Sequence, residues 1–259
     1  MKISLVIPST EYHFQHIESI LTHFAQGTVV PDQVIISVSN AHLIPCLWKD
    51  DIISKFVHVF EDIEIILHDE WMDYNINRKA ASLKASNELI IYSDSDDLPH
   101  PQRIEVIKYF FANHDILHLN HAWSYKKNFH GCKFKCNEIK YIESDDIFSR
   151  YFPEQKHLEQ KDRIRKNRPK KPVQWYGEGP WNFVITGGHT AFLREVLKEV
   201  QWVWPHEVAS DYDFCMDVLF HFNKSMLVES PLIWYNRKRH ALLKGEKFIN
   251  MDEAVWAYE

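Results

Sequence analysis

Glycine is scarce: seven occur in 259 residues, and none falls in a G-x-G-x-x-G or a G-x-x-x-x-G-K arrangement followed by Ser or Thr. Loops of those kinds cradle phosphates with backbone amides, so a nucleotide in this chain has to be held by a cation and side chains. Cysteine is also sparse. Cys46, Cys132, Cys136 and Cys215 are too few and too scattered to frame a disulfide-stapled secreted domain, which points to a reducing compartment. Cys132 and Cys136 lie near His130 and raise the thought of zinc, but no second Cys/His pair stands at a ligand spacing. Two ordinary thiols near a hairpin suffice. No apolar run of 18 residues, charged leader or cleavage site is present. The expectation is a soluble, cytoplasmic protein with no membrane span. Positive charge is in deficit, 30 Lys and Arg against 36 Asp and Glu for a net charge of -6. That balance disfavours nucleic acid as a partner.

What is present is ordinary globular material, 45% hydrophobic and 25% charged, enough to bury a core in one domain over 1-259. Ile3-Ser4-Leu5-Val6-Ile7, ended by Pro8, reads as a parallel strand buried on both faces. Phe14, Ile17, Ile20, Leu21 and Phe24 recur at helical spacing through Glu11 to Gln26, with Gly27 as the terminator. Val34 to Val38 and Ile63 to Leu67 read as further strands. A helix is expected over Asn75 to Ser86, then the strand Leu89-Ile90-Ile91-Tyr92. Pro99 and Pro101 open another helix, with Ile104, Ile107, Tyr109 and Phe111 available to its buried side. Strands alternating with helices predict an α/β fold with a mostly parallel, doubly wound, Rossmann-like sheet. Ligands of such sheets bind beyond the carboxyl ends of the strands.

An acidic cluster falls at that place. Ser93-Asp94-Ser95-Asp96-Asp97 carries three carboxylates within four residues directly after a strand. Their repulsion calls for a cation or solvent, and a divalent metal bound by one or two carboxylates and by substrate phosphates is a recurrent solution. The competing reading is an acidic helix N-terminus, with Asp97 as a cap. A calcium loop of the EF-hand type fails because Pro99 stands where its glycine is required. Lys156 to Pro172, with eight Lys or Arg residues, reads as a solvated loop or a flap over an anion. Trp175 to Trp181 is rich in aromatics, which suit a sugar-binding floor or a core.

In this order the motifs resemble the family 2 glycosyltransferases, which have an A-type (GT-A) fold, a metal-binding D-x-D motif and an inverting mechanism. Ile3 to Thr10 is similar to the family's opening strand and nucleotide-contacting Pro-Thr turn, which implies contacts from Pro8, Ser9 and Thr10. Asn77-Arg78-Lys79-Ala80-Ala81 with Ile91 to Asp97 resembles its helix, strand and D-x-D, bringing in Arg78, Asp94, Ser95 and Asp96. Gly187 to Glu195 resembles the acceptor-side turn that leads into a helix. Ser210-Asp211-Tyr212-Asp213 stands where the family has Glu-Asp, whose Asp is the catalytic base, and Tyr235 to His240 resembles a late segment ending in a metal-ligating histidine. There are two departures. The family's uracil-reading Asp after the second strand is replaced by Ser37-Val38-Ser39-Asn40, with Ser39 counted among the nucleotide contacts, and Ser210 replaces the Glu.

The resemblance implies transfer of a sugar from a nucleoside-diphosphate sugar, UDP by default, to a hydroxyl of a glycan or other acceptor. Residues 1-115 would bind the donor and 116-259 the acceptor. Asp211 would be the base, and Asp94, Asp96 and His240 would serve the metal. Mn2+ suits that mixed oxygen and imidazole set better than Mg2+. Arg78 would meet either the diphosphate or a buried carboxylate. The alternatives are a non-catalytic nucleotide-sugar or carbohydrate-binding module on the same fold and a nucleotidyltransferase, whose glycine-rich basic loop is missing here.

Overall fold

The computed structural model describes residues 1–124, 131–151, 174–176, 182–184, 190–200 and 210–234. Its first half is built from β1 (Ile3–Ser9), α1 (Ile17–Ala25), β2 (Gln33–Val38), α2 (Trp48–Phe56), β3 (Asp62–Leu67), α3 (Tyr74–Lys84) and β4 (Leu89–Tyr92). There follow β5 (Leu98–Pro99), α4 (Arg103–Asn113), β6 (His118–Ser124), β7 (Tyr141–Glu143), α5 (Ser144–Tyr151), β8 (Gln174–Tyr176), β9 (Asn182–Val184), β10 (Thr190–Leu193), α6 (Ser210–Phe222) and β11 (Ser225–Trp234). The strands form one sheet with the main path β3-β2-β1-β4-β10-β6-β11-β5. β3, β2, β1 and β4 are mutually parallel and β6 is parallel to β11, so the path is mostly parallel. Antiparallel β10 joins the two parallel groups.

Helices cover both faces, as the doubly wound reading requires. On one face Ile20, Phe24, Ile52, Phe56, Ile104 and Ile107 of α1, α2 and α4 close over Leu5, Ile7, Ile36 and Ile91. On the other, Ala81, Phe148, Phe214 and Val218 of α3, α5 and α6 close over Val6, Ile35, Tyr92 and Phe192. Burying each such aliphatic or aromatic side chain contributes about 1.5–3 kcal/mol, which explains why strands with apolar side chains on both faces sit in the middle layer.

Several local expectations change. β1 does not stop at Pro8 but continues to Ser9. The carbonyl of Val6 faces β4 and accepts from Ser93 N, while that of Ser9 faces β2 and accepts from Ser39 N. Pro8, in phase with Val6, therefore turns its ring nitrogen toward the side where β4 has already ended, and its missing N–H costs no ladder bond. The first helix is shorter than Glu11 to Gln26, because the Thr10 carbonyl takes both His13 N and Phe14 N in a turn before it. Gly27 does end α1, for a steric reason: a Cβ there would lie 3.1 Å from the carbonyl oxygens of both Phe24 and Pro101. Pro99 opens no helix; it pairs with Ile233 in β5, and α4 starts at Arg103. Phe110 and Val106 are buried in α4 while Tyr109 is only half-buried. The segment after Gly188 enters a strand, β10, before a short 3-10 turn at Arg194–Lys198. Thr190 to Phe192 fill the space between β4 and β6, which a helix could not do.

β6 is unusual for a central strand, since His118, Asn120, His121 and Ser124 are all buried in it. Polar pairing makes this tolerable. The Asn120 amide donates to His118 Nε2 at 3.3 Å, and His118 Nδ1 meets Ser225 Oγ at 3.0 Å. Burial pulls His118 down to about 3 and also lowers His100, whose hydrogen bond to the Cys132 carbonyl only partly opposes it. A histidine neutral in the fold but protonated in the unfolded chain adds a stability term that is complete above about pH 6.5 and is lost as pH falls toward the folded value. His118 alone should remove about 2 kcal/mol between pH 6.5 and pH 5, at about 1.4 kcal/mol per unit. Urea midpoints at pH 7 and pH 5 should show that decline, and His118→Gln should flatten it. An unchanged slope in the variant would assign the decline to other groups.

Candidate functional site

The carboxyl edge of the sheet gathers most of the described residues singled out by sequence. β2, β1 and β4 run parallel and end in turn at Val38, Ser9 and Tyr92. Just beyond them lie Ser39, Thr10 and the Ser93 to Asp97 loop. Thr10 is partly exposed and its Oγ1 accepts from Tyr12 N at 3.2 Å, shaping the turn out of β1. Asn77, from the first turn of α3, donates through Nδ2 to the Ser9 carbonyl at 2.8 Å and fixes that turn from the other side. α3 itself starts here because Asp73 caps it, accepting from Asn75 N at 2.9 Å.

Along this edge, polar atoms are buried with no hydrogen-bond partner among the described residues: Ser39 Oγ, Ser9 Oγ, Ser93 Oγ and Thr190 Oγ1, with Asn77 Oδ1 beside them. They lie on or directly after four adjacent strands in the order β2, β1, β4, β10 and at the start of α3. Such atoms are rare in native interiors and costly, about 1–3 kcal/mol each. A row of them at a strand edge is what a polar ligand would satisfy.

The acidic loop is tightly built. The Asp97 amide reaches the Asp94 carbonyl at 3.4 Å, and Ser93, Ser95 and Asp97 are buried while Asp94 and Asp96 remain partly exposed. Arg78, on α3 and almost fully buried, donates through Nη2 to Asp94 Oδ1. The two partners expected for Arg78 were the diphosphate and a buried carboxylate; the carboxylate it meets here, Asp94, is partly exposed. Asp97 is not a helix cap, because five residues separate it from α4, whose first turn is preceded by Gln102 with no side-chain cap bond. It is buried at 2% exposure under the loop.

Asp94 and Asp96 offer two partly exposed carboxylates on one short loop. That donor set suits a hard divalent cation that keeps water and substrate oxygens in its other positions. No group of three or more potential ligands occurs among the described residues. His240 lies outside them, as do Lys156 to Pro172, Gly187 to His189 and most of the aromatic segment after Tyr176. His130, the third member of the zinc idea, is outside as well; the four cysteines are free thiols.

Asp211 is the second residue of α6. The far end of α6 leads through Asn223 and Lys224 into Ser225, which pairs with His118 at the amino end of β6. Phe214, one turn into the helix, already packs against Phe192 of β10. α6 therefore starts on the carboxyl edge and runs down the sheet, about 20 Å for 13 residues, which sets its first turn on the same edge as the acidic loop. Sequence reasoning gave no role to Asn77, Thr190 or Arg103. The sign that could have singled out Arg103 is a cation at the start of a helix, where the dipole opposes it.

No family model and no curated protein sequence matches the chain. Solved structures do match. S. aureus TarS 1-349 in complex with UDP-GlcNAc superposes with a TM-score of 0.62 at 12% identity, covering 97% of this chain and 61% of that one. Glucosyl-3-phosphoglycerate synthase from Mycobacterium tuberculosis, in complex with Mn2+, UDP and glucosyl-3-phosphoglycerate, gives a TM-score of 0.51 at 12% identity over 97% of this chain and 74% of that one. The chain thus spans about three-fifths of the TarS fragment it matches. At such identities the likeness establishes the fold, and that fold is GT-A. No helix among the described residues is long and apolar enough to cross a membrane.

Proposed function

We propose that the protein is a metal-dependent, inverting glycosyltransferase that moves a hexosyl group from a UDP-sugar to an acceptor hydroxyl. The observation that carries this reading is the Asp94-Ser95-Asp96 loop set beside buried polar atoms that lack protein partners, Ser9, Ser39, Ser93, Thr190 and Asn77 Oδ1. Similarity to structures solved with UDP-GlcNAc and with UDP and Mn2+ supports the choice of ligand. In this reading residues 1-115 form the donor half and 116-259 the acceptor half. Pro8, Ser9, Thr10 and Ser39 line the nucleoside side, and Ser95 and Arg78 hold the loop in shape around Asp94.

A divalent cation, Mn2+ in preference to Mg2+, held by Asp96 and Asp94 with His240, would neutralise charge on the departing diphosphate. The rest is done by the chain. Asp211 accepts the proton of the acceptor hydroxyl as its oxygen forms a bond to the anomeric carbon. The bond from that carbon to the diphosphate oxygen breaks with its electron pair, and configuration inverts. The dipole of α6 helps keep the carboxylate ionised and ready as a base.

A thermal-shift panel of nucleotides and nucleotide sugars, with and without Mn2+, tests the reading. UDP or a UDP-sugar with Mn2+ should stabilise the fold by about 2.7 kcal/mol at a hundredfold excess over Kd, a shift of several degrees. Stabilisation by no nucleotide, or by ATP in preference to every nucleotide sugar, would remove the reading, the latter in favour of nucleotidyl transfer.

A further inference from the structure

Arg103 breaks two local rules at once. It is the first residue of α4, where the positive end of the helix disfavours a cation, and its side chain is completely buried. Departures of this sort from local preference concentrate at functional sites, where the surroundings offset them. Three elements do so here. Nη2 donates to the Tyr92 carbonyl at the last residue of β4. Nε donates to Nε2 of His121, in the middle of β6, at 3.1 Å. His121 Nδ1 donates in turn to the Ala122 carbonyl at 2.8 Å, which leaves Nε2 as the acceptor nitrogen. The Phe24 ring of α1 lies 6.0 Å from the guanidinium carbon. Burial pulls the guanidinium down to about 9, and the charges of Asp94 and Asp97 act against that fall, so the group remains charged at neutral pH.

We propose that Arg103 is a positioning residue for the acidic loop: it clamps the end of β4 from beneath and balances Asp94 and Asp97, so that the loop keeps its shape whether or not a cation is bound. Arg78 grips the same loop from α3 through Asp94. Two buried guanidiniums on opposite faces of the sheet thus hold a segment of like charges that would otherwise repel. Asp96 has no ion pair of its own among those described and is the carboxylate left to face a ligand. The inference rests on reading the loop as the donor site, and its test has an arm independent of that reading.

The variants are Arg103→Lys, which keeps the charge but not the planar fork, Arg103→Met, and His121→Phe, which releases Nε without touching the loop. In ligand-free protein, hydrogen exchange of amides 93–97 should accelerate about tenfold or more in Arg103→Lys, and less in His121→Phe, while β2 and β3 amides stay protected. Per folded molecule, kcat should fall about tenfold in Arg103→Lys, since misplacement by an ångström is enough for such losses. If Arg103→Met does not fold, the other two variants decide. Loop amides exchanging at wild-type rates with kcat unchanged, and only the melting temperature lowered, would overturn the proposal and leave Arg103 a structural cation. Should the wild-type protein bind no nucleotide sugar, the donor-site reading fails and the exchange arm alone judges the clamp by the same criterion.

Discussion

Asp211→Asn is expected to lower the rate of sugar transfer roughly a hundredfold or more while leaving donor binding close to wild type. The carboxylates that compete for the base role are separated by placement. Asp94 is engaged by Arg78, and both Asp94 and Asp96 stand on the loop best suited to a cation. A cation stabilises the ionised form of a carboxylate and makes it a poor base. Asp213 and Asp217 follow Asp211 on α6 by two and six residues, which is about 200° and 240° around the helix axis at 100° per residue. Those offsets put positions 213 and 217 on the other side of the helix from position 211. Phe214, Val218 and Leu219 meanwhile seat α6 against the sheet, so its rotation is fixed by packing. Asn at position 211 is close in shape and removes only a charge at the helix start, about 0.3–1 kcal/mol, so folding should be little affected. Single-turnover transfer to the true acceptor, beside calorimetry of the donor, separates rate from binding. Near wild-type transfer by Asp211→Asn together with loss in Asp213→Asn would move the base to the other carboxylate.

Asp96→Asn should weaken nucleotide binding in Mn2+ by about a hundredfold, a loss of about 2.7 kcal/mol. It is the cleaner of the two loop substitutions. Asp94 holds the almost fully buried Arg78, so neutralising it removes the partner of a buried charge and damages folding as well as binding. Asp96 is partly exposed and carries no such burden. Its replacement should leave the urea midpoint within about 0.5 kcal/mol of wild type. An unchanged Kd for UDP in Mn2+ would show that the cation is held elsewhere.

The first half of the fold was legible because its signals are strong and local. β1 to β4 are dense in Val, Ile and Leu, and α1 shows a clear 3.6-residue period. α2 was not foreseen: its first turn is acidic, and only Ile52 and Phe56 are buried in it. The second half was poorly legible because its central strand, β6, reads His-Leu-Asn-His-Ala-Trp-Ser, a composition that ordinarily marks a surface. Its polar groups are paid for by partners far away in sequence, Ser225 for His118 and Arg103 for His121, which no local pattern announces. The candidate site divides in the same way. Asp94, Asp96 and the Pro8-Ser9-Thr10 turn stand out from the strand before them, whereas Asp97 looked like a cap and Arg103 was given no role. Both became informative only when burial and partners could be seen. For Asp211, the family resemblance supplied the expectation and the fold supplies the edge on which its helix begins.

The central claim is that a nucleoside diphosphate binds at the carboxyl edge of β1, β2 and β4 through a cation held by the acidic loop. Its most direct test is calorimetric titration of UDP into the wild-type protein with Mn2+, then after chelation. The account predicts saturable one-to-one binding with Mn2+ that weakens at least tenfold once the metal is removed. Tight binding unaffected by chelation, or no binding of any nucleoside diphosphate, would contradict it.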